Sequence, residues 1–200
     1  MSQMMSKKLI AGIDFGSQLA GTTVICREVE DGKVSLFRSK KGESADRFLE
    51  EHFKALSPHY IGLDAPLSLP AVYKGIPGYE DYQFRTADRL LRAMSPMFLG
   101  GLTARAMRLA GTLFTFDHTV IEVYPAALLK ELQIESRYKK NTTECALLLS
   151  QIEEAVHYPP PESAATSHDV DAYLAFLSAR RSTLGEGVAH GDLIEGVITV

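Results

Sequence analysis

Cysteine is scarce in this 200-residue chain, and its two copies, Cys26 and Cys145, stand far apart. That spacing excludes a disulfide framework and a zinc site built on paired thiolates, and it fits a reducing compartment. No apolar run approaches the ~20 residues needed to span a bilayer. Met1 to Lys8 holds no apolar stretch of the kind a secretory leader carries. The expectation is a soluble, cytoplasmic protein without a membrane partner. Positive charge is not in excess: 21 Lys and Arg face 25 Asp and Glu, for a net charge of −4. A field of that sign does not attract a polyanion, so any nucleic-acid partner must be short or structured and meet a local basic patch. The chain contains no phosphate loop ending in lysine, no GxGxxG, no nucleophile elbow, no internal repeat and no low-complexity segment. What remains is ordinary globular composition, 46% hydrophobic and 23% charged, over a length that suits one domain spanning 1–200.

The stretch that organises the rest is Leu9-Ile10-Ala11-Gly12-Ile13-Asp14-Phe15-Gly16. Its apolar run stops at one aspartate, and a short polar link leads into the β-branched run from Thr22 to Glu30. Alternation and Val, Ile and Thr content predict strands over Lys8 to Phe15 and Thr22 to Glu30. Asp31-Gly32 predicts a two-residue turn into a third strand over Lys33 to Ser39. Three strands joined by short links make an antiparallel meander. Asp14 either closes its turn by accepting from nearby N–H groups or holds a metal or proton at the sheet's edge.

Helical spacing of Phe48, Leu49, Phe53 and Leu56 predicts a helix over Glu43 to Leu56, stopped at Ser57-Pro58. Tyr60 to Pro66 reads as a buried strand that again ends in an aspartate, Asp64. After a helical crossover it would run parallel to its neighbour. Leu67 to Tyr82 is rich in proline and glycine and predicts a loop, opening a helical insertion over about 67–117. Within it, Phe84 to Met94 and Leu99 to Phe114 predict helices carrying Arg85, Arg89, Arg92, Arg105 and Arg108. Arg85, Asp88, Arg89 and Arg92 share a face. That face is either a solvated row of local ion pairs or a phosphate-binding surface.

Glu122 interrupts the apolar run Thr119 to Pro125. A buried carboxylate must be neutralised, paired or bound to a cation, so Glu122 has either an arginine partner or a metal. Helices follow over Ala126 to Leu132 and Thr142 to Val156, with the basic cluster Arg137-Tyr138-Lys139-Lys140 between them. Pro159-Pro160-Pro161 is a stiff linker. The last helix opens at Thr166 with a capping box to Asp169 and ends at Arg180-Arg181. Asp171 faces inward with Leu174, Ala175 and Ser178. His168 lies one turn earlier on the same side, as a ligand or as a structural histidine. The tail from Ile194 to Val200 predicts an edge strand or a cover over the site.

Asp14, Asp64, Glu122 and Asp171 thus stand apart as acids that end or interrupt apolar segments. If the first, fourth and fifth strands are neighbours, these carboxylates converge. Converging carboxylates suit hard divalent cations, Mg²⁺ or Mn²⁺, of the kind that drive two-metal phosphodiester hydrolysis. The element order and these acids resemble the ribonuclease H-like fold, an α/β mixed sheet of three antiparallel strands then parallel strands, flanked by helices. Asp14, Asp64 and His168-x-x-Asp171-Ala172 resemble the pattern of RuvC-type Holliday-junction resolvases. Over nearly the whole chain the sequence resembles the family called domain of unknown function 429, described as predicted nucleases. The matching stretches are Gly12-Ile13-Asp14, Asp64-Ala65-Pro66-Leu67-x-Leu69-Pro70, Arg85-x-x-Asp88, Thr103-x-Arg105-Ala106, Glu122-Val123-x-Pro125, Asp171-Ala172 and Glu195-Gly196-x-Ile198. One departure is His168, which stands where many members carry an acid.

The resemblance implies a metal-dependent nuclease or phosphodiesterase. Asp14, Asp64, Glu122 and Asp171 would be the metal ligands, and His168 a ligand or proton shuttle. Arg85, Arg89, Arg105 and Lys139 would meet substrate phosphates. Two other functions compete. A non-catalytic module would pair its acids with arginines, through contacts such as Arg85 to Glu122 or Arg89 to Asp64. An ATP-binding protein of the actin and sugar-kinase type would use Asp14-Phe15-Gly16-Ser17 and Gly21-Thr22-Thr23 as a phosphate hairpin. That type needs a second such domain, which 200 residues do not supply.

Overall fold

The first strand, β1 (Leu9–Asp14), is buried on both faces, which is why it reads as an almost continuous apolar run. It pairs antiparallel with β2 (Val24–Glu30), which pairs antiparallel with β3 (Lys33–Arg38). Helix α1 (Ala45–Lys54), capped by Ser44, crosses over to β4 (His59–Asp64), which lies parallel to β1 on its other side. Strand β5 (Thr119–Glu122) extends the sheet parallel to β4. The result is a five-stranded mixed sheet in the order β3-β2-β1-β4-β5. This is a computed structural model, and it describes residues 9–30, 32–57, 59–139 and 142–200. Met1 to Lys8, Asp31 of the expected turn, Pro58 of the expected helix stop and Lys140 of the basic cluster lie outside the described residues.

Between β4 and β5 come a 3-10 turn (Ala71–Lys74) and helices α2 (Thr86–Leu91), α3 (Pro96–Leu99) and α4 (Gly101–Phe114). The helix expected over Phe84 to Met94 is shorter because Arg92 adopts a left-handed backbone, with φ of 56°. Gly100, with φ of 43°, separates α3 from α4. After β5 come α5 (Pro125–Glu131), α6 (Cys145–Val156) and α7 (Ser167–Leu184). Helix α7 runs one turn past Arg180-Arg181 and ends on left-handed Gly185. The tail does not join the main sheet as a full strand. It forms its own hairpin of β6 (Ala189–Asp192) and β7 (Gly196–Thr199), touching the sheet through a single bridge from Thr199 to Val123.

Two cores sandwich the sheet. Ile13, Ile25, Ile61 and Leu63 point to the side covered by Leu49 and Phe53 of α1 and Leu109 and Leu113 of α4. Ile10, Val24 and Cys26 point to the side covered by α7, α5 and α6. Every residue of α7 from Asp169 to Ala179 is buried, so the helix has no single apolar face and is enclosed all round. It reaches the sheet so closely because Gly12 and Gly62 are neighbours across β1 and β4. A side chain on Gly12 would run into the backbone of Ala172 and Phe176, and one on Gly62 into the Ala175 carbonyl. Gly12→Ala is therefore expected to lose about 1–3 kcal/mol in urea unfolding, because helix backbone cannot give way as a flexible side chain would. Gly111→Ala, in α4 with no neighbour within reach, is the control and should leave the midpoint unchanged or raise it.

Candidate active site

The pleat that turns Gly12 and Gly62 toward α7 turns Asp14 and Asp64 the same way, two residues further on. The two aspartates are register partners at the carboxyl ends of β1 and β4, on strands ~4.8 Å apart. The first turn of α7 is fixed above them. Thr166 Oγ1 accepts from the Asp169 N–H, and the buried Asp169 carboxylate accepts from the Thr166 N–H at 2.9 Å and from Arg38 Nε at 2.8 Å. Asp169 is thus structural, as the capping box implies. One residue before it His168, and two residues after it Asp171, reach the strand ends.

His168 Nδ1 lies 2.7 Å from Asp14 Oδ2. Asp171 is buried, and accepts from the Tyr138 hydroxyl at 2.5 Å on Oδ1 and from Lys139 Nζ at 3.2 Å on Oδ2. No hydrogen bond to the half-buried Asp64 carboxylate comes from the described residues. The electrostatics follow from this crowding. Burial, and then the charges of Asp171 and Asp14, push the Asp64 carboxyl well above its ordinary range. Burial also raises Asp14, against the hydrogen bond from His168. That bond raises the His168 imidazole. Burial pulls the Lys139 ammonium down, but Asp171, Asp64 and Asp14 outweigh it and leave it raised. Lys139 is a positive charge shared among three carboxylates.

Glu122 lines the same cleft as Asp14 and Asp64 but is committed to another partner. It is in register with Leu63 rather than Asp64, so the pleat sends it to the opposite face. There it is buried, accepting from the two terminal nitrogens of Arg85 at 2.6 and 2.7 Å and from the Leu67 N–H at 2.8 Å. Arg85 is fully buried and spends its other edge on Asp88, at 2.7 and 3.1 Å, with Ser68 Oγ at 2.8 Å. The expectations that Glu122 holds a metal or acts as a base, and that Arg85 meets a phosphate, are corrected: the two neutralise each other inside the protein. Arg89 is also engaged, paired with Asp81 and lying over the Phe84 ring. Arg105 grips Asp46, with the shortest contact at 2.5 Å, and stacks over Phe15. Neither is a free phosphate ligand. The Arg85 to Glu122 contact is the one a non-catalytic module requires; an Arg89 to Asp64 contact is not made among the described residues.

Two further residues support the site although neither was a candidate site residue in the sequence. Tyr138 orients Asp171, and its signal was hidden inside a cluster noted for its charge. Glu195, in the tail, accepts from the Ala71 and Thr86 N–H groups at 3.1 and 2.7 Å and from Thr86 Oγ1 at 2.8 Å. It fastens the insertion to the body of the protein, which gives the Glu195-Gly196-x-Ile198 stretch a structural task. Among the described residues no three His, Cys, Asp or Glu side chains are already drawn around one metal position. Asp14, Asp64 and Asp171 offer only oxygen donors, the kind a hard cation takes, but Asp14 is turned to His168 and Asp171 to Tyr138 and Lys139. No described helix is long and apolar enough to cross a membrane. Comparison with models of known protein families finds no match, and comparison with curated proteins finds none either.

Proposed function

We propose that the chain is a metal-dependent phosphodiesterase on a ribonuclease H-like sheet, with Asp14, Asp64 and Asp171 as ligands for Mg²⁺ or Mn²⁺. The observation that carries this is the meeting of three carboxylates at the ends of β1 and β4 and the start of α7, with Lys139 as their shared ammonium. That leaves negative charge over, at oxygen donors a divalent cation suits. The strand order β3-β2-β1-β4-β5, with acids at the ends of its two central parallel strands, also supports the reading. Membership of the family called domain of unknown function 429 and a cytoplasmic setting belong to the same proposal.

When bound, Mg²⁺ or Mn²⁺ supplies the Lewis acidity that makes water nucleophilic and a phosphate oxygen electron-poor. The chain's own residues do the rest. Asp64 and Asp14 are held by rigid strands and Asp171 by a capped helix turn, so binding a cation requires only that the Asp14 and Asp171 carboxylates turn from His168 and from Tyr138 and Lys139. His168, raised by its bond to Asp14, is suited to hold a proton at its ring and deliver it to the leaving oxygen. Lys139 neutralises a non-bridging phosphate oxygen. In the balanced reaction water adds across one P–O bond: a new O–P bond forms, the bond to the leaving oxygen breaks, and a water proton ends on that oxygen.

Calorimetry tests this directly. Wild-type protein is expected to bind Mn²⁺ in the micromolar to millimolar range, and Asp14→Asn to weaken it by at least about tenfold. No Mn²⁺ binding at any accessible concentration would remove the metal and the hydrolytic reading together. The Arg85–Glu122 pair favours the second reading, a non-catalytic module. It accounts for Glu122 and leaves Asp14, Asp64 and Asp171 without an arginine among the described residues.

A further inference from the structure

Asp14 and Asp64 open into a cleft of about 300 Å³ whose walls differ in chemistry. The sheet wall carries Asp14, Asp64 and the Arg85-paired Glu122, with Lys139 beside them, and the insertion wall is mostly apolar, carrying Met94, Leu99 and Leu102 together with the Arg85-paired Asp88. That volume is at the lower end of small-molecule sites. A nucleic-acid tract would need several free cations along the rim, since affinity for it comes mostly from phosphate neutralisation. Four of the insertion's five arginines are engaged by the protein's own acids, and Arg92 alone makes no ion pair among the described residues. Arg85 is buried between two acids, Arg89 pairs with Asp81, Arg105 with Asp46, and Arg108 with Asp46 and Glu50. One ammonium and a bound cation suit a single phosphate. An apolar wall has nothing to do for a sugar-phosphate backbone, and much to do for a flat or apolar group attached to one phosphate.

We infer that the substrate is a small phosphodiester whose hydrolysis leaves a monoester of about mononucleotide size, its phosphate on the acid wall beside Lys139 and its flat or apolar group against Met94, Leu99 and Leu102. This rests on the proposed metal-dependent phosphodiesterase and names its substrate class.

The experiment is calorimetry on the full chain. Mn²⁺ is titrated alone first. Thymidine 5′-monophosphate is then titrated at saturating Mn²⁺, and a single-stranded oligonucleotide is titrated in parallel at several salt concentrations. The mononucleotide is expected to bind only with Mn²⁺ present, and the oligonucleotide to bind within about tenfold of it with a shallow salt dependence. Met94 is 62% exposed, so the fold does not rest on it. Met94→Asn should weaken the mononucleotide about fivefold while leaving Mn²⁺ affinity unchanged. Three outcomes overturn the inference with the metal site intact: Mn²⁺ binds but the mononucleotide does not; the oligonucleotide binds over about a hundredfold tighter with a steep salt slope; or Met94→Asn leaves mononucleotide affinity unchanged. Absence of Mn²⁺ binding is a separate result, which removes the proposed function and this inference with it.

Discussion

Replacing Arg85 with methionine is expected to cost about 3–5 kcal/mol of stability in urea unfolding at neutral pH. The guanidinium is fully buried and is the shared partner of Glu122 and Asp88, both also buried. Burial opposes its charge, but the hydrogen bonds and charges of Glu122 and Asp88 outweigh that and hold it firmly protonated. Methionine fills similar space and keeps the apolar contacts of the stem, so the loss reports the two carboxylates left without their cation. Adding Glu122→Gln removes one of those stranded charges. The Arg85→Met/Glu122→Gln protein should therefore recover part of the loss. A loss below about 1 kcal/mol in the single variant would match a solvent-exposed pair instead. It would mean that Arg85 swings out of the interior and is available to a phosphate after all.

This clamp marks where sequence and structure part company. Asp14, Asp64 and Asp171 were legible because each breaks a run of apolar residues at the end of a strand or the start of a helix, where a carboxylate needs a reason. The sheet was legible for a similar reason: period-two alternation and a helical crossover before Tyr60 leave few topologies. Glu122 carried the same local signal and had a different cause. Its register against Leu63 rather than Asp64 decides which face it serves, and a one-residue register is set by tertiary pairing, outside the reach of local pattern. The arginines misled because their partners are remote or hidden in the loop: Asp46 is 59 residues from Arg105, and Asp81 precedes α2. A row of arginines on one helical face looks the same whether its counter-ions are phosphates or the protein's own acids. The breaks at Arg92 and Gly100 were not legible as breaks, since the apolar spacing continues through them while the backbone turns left-handed. Glycines 12 and 62 gave a signal of a different kind, each two residues before a site aspartate. Their meaning, the close seat of α7, emerges only when the strands are laid side by side.

Asp64→Asn is expected to raise the melting temperature of metal-free protein at neutral pH, and to remove the further rise that Mn²⁺ gives the wild type. The sign follows from the carboxyl's surroundings. Burial and the charges of Asp171 and Asp14 raise its folded-state pKa well above the ordinary 3.8. The folded protein therefore holds the Asp64 proton more tightly than the unfolded chain does. The associated stability is fully present below about pH 3.8 and is lost as pH rises through the higher folded-state value. At neutral pH, where the unfolded chain carries this carboxylate ionised, the raised folded-state pKa costs the folded protein stability, and asparagine, which keeps the shape without the charge, does not. In EDTA, the melting temperatures of variant and wild type should agree at low pH and diverge as pH climbs, the variant ending higher. Mn²⁺ acts on the same carboxylate in the opposite direction. A cation that binds only the folded state adds about 2.7 kcal/mol at a hundred times its dissociation constant, and that increment requires the negative oxygen. A site kept for ligand binding is thus expected to be a point of instability when empty of cation, repaired by one substitution at the expense of function. If Asp64→Asn instead lowers the melting temperature in EDTA and Mn²⁺ shifts both proteins equally, Asp64 is a structural acceptor and the cation binds elsewhere.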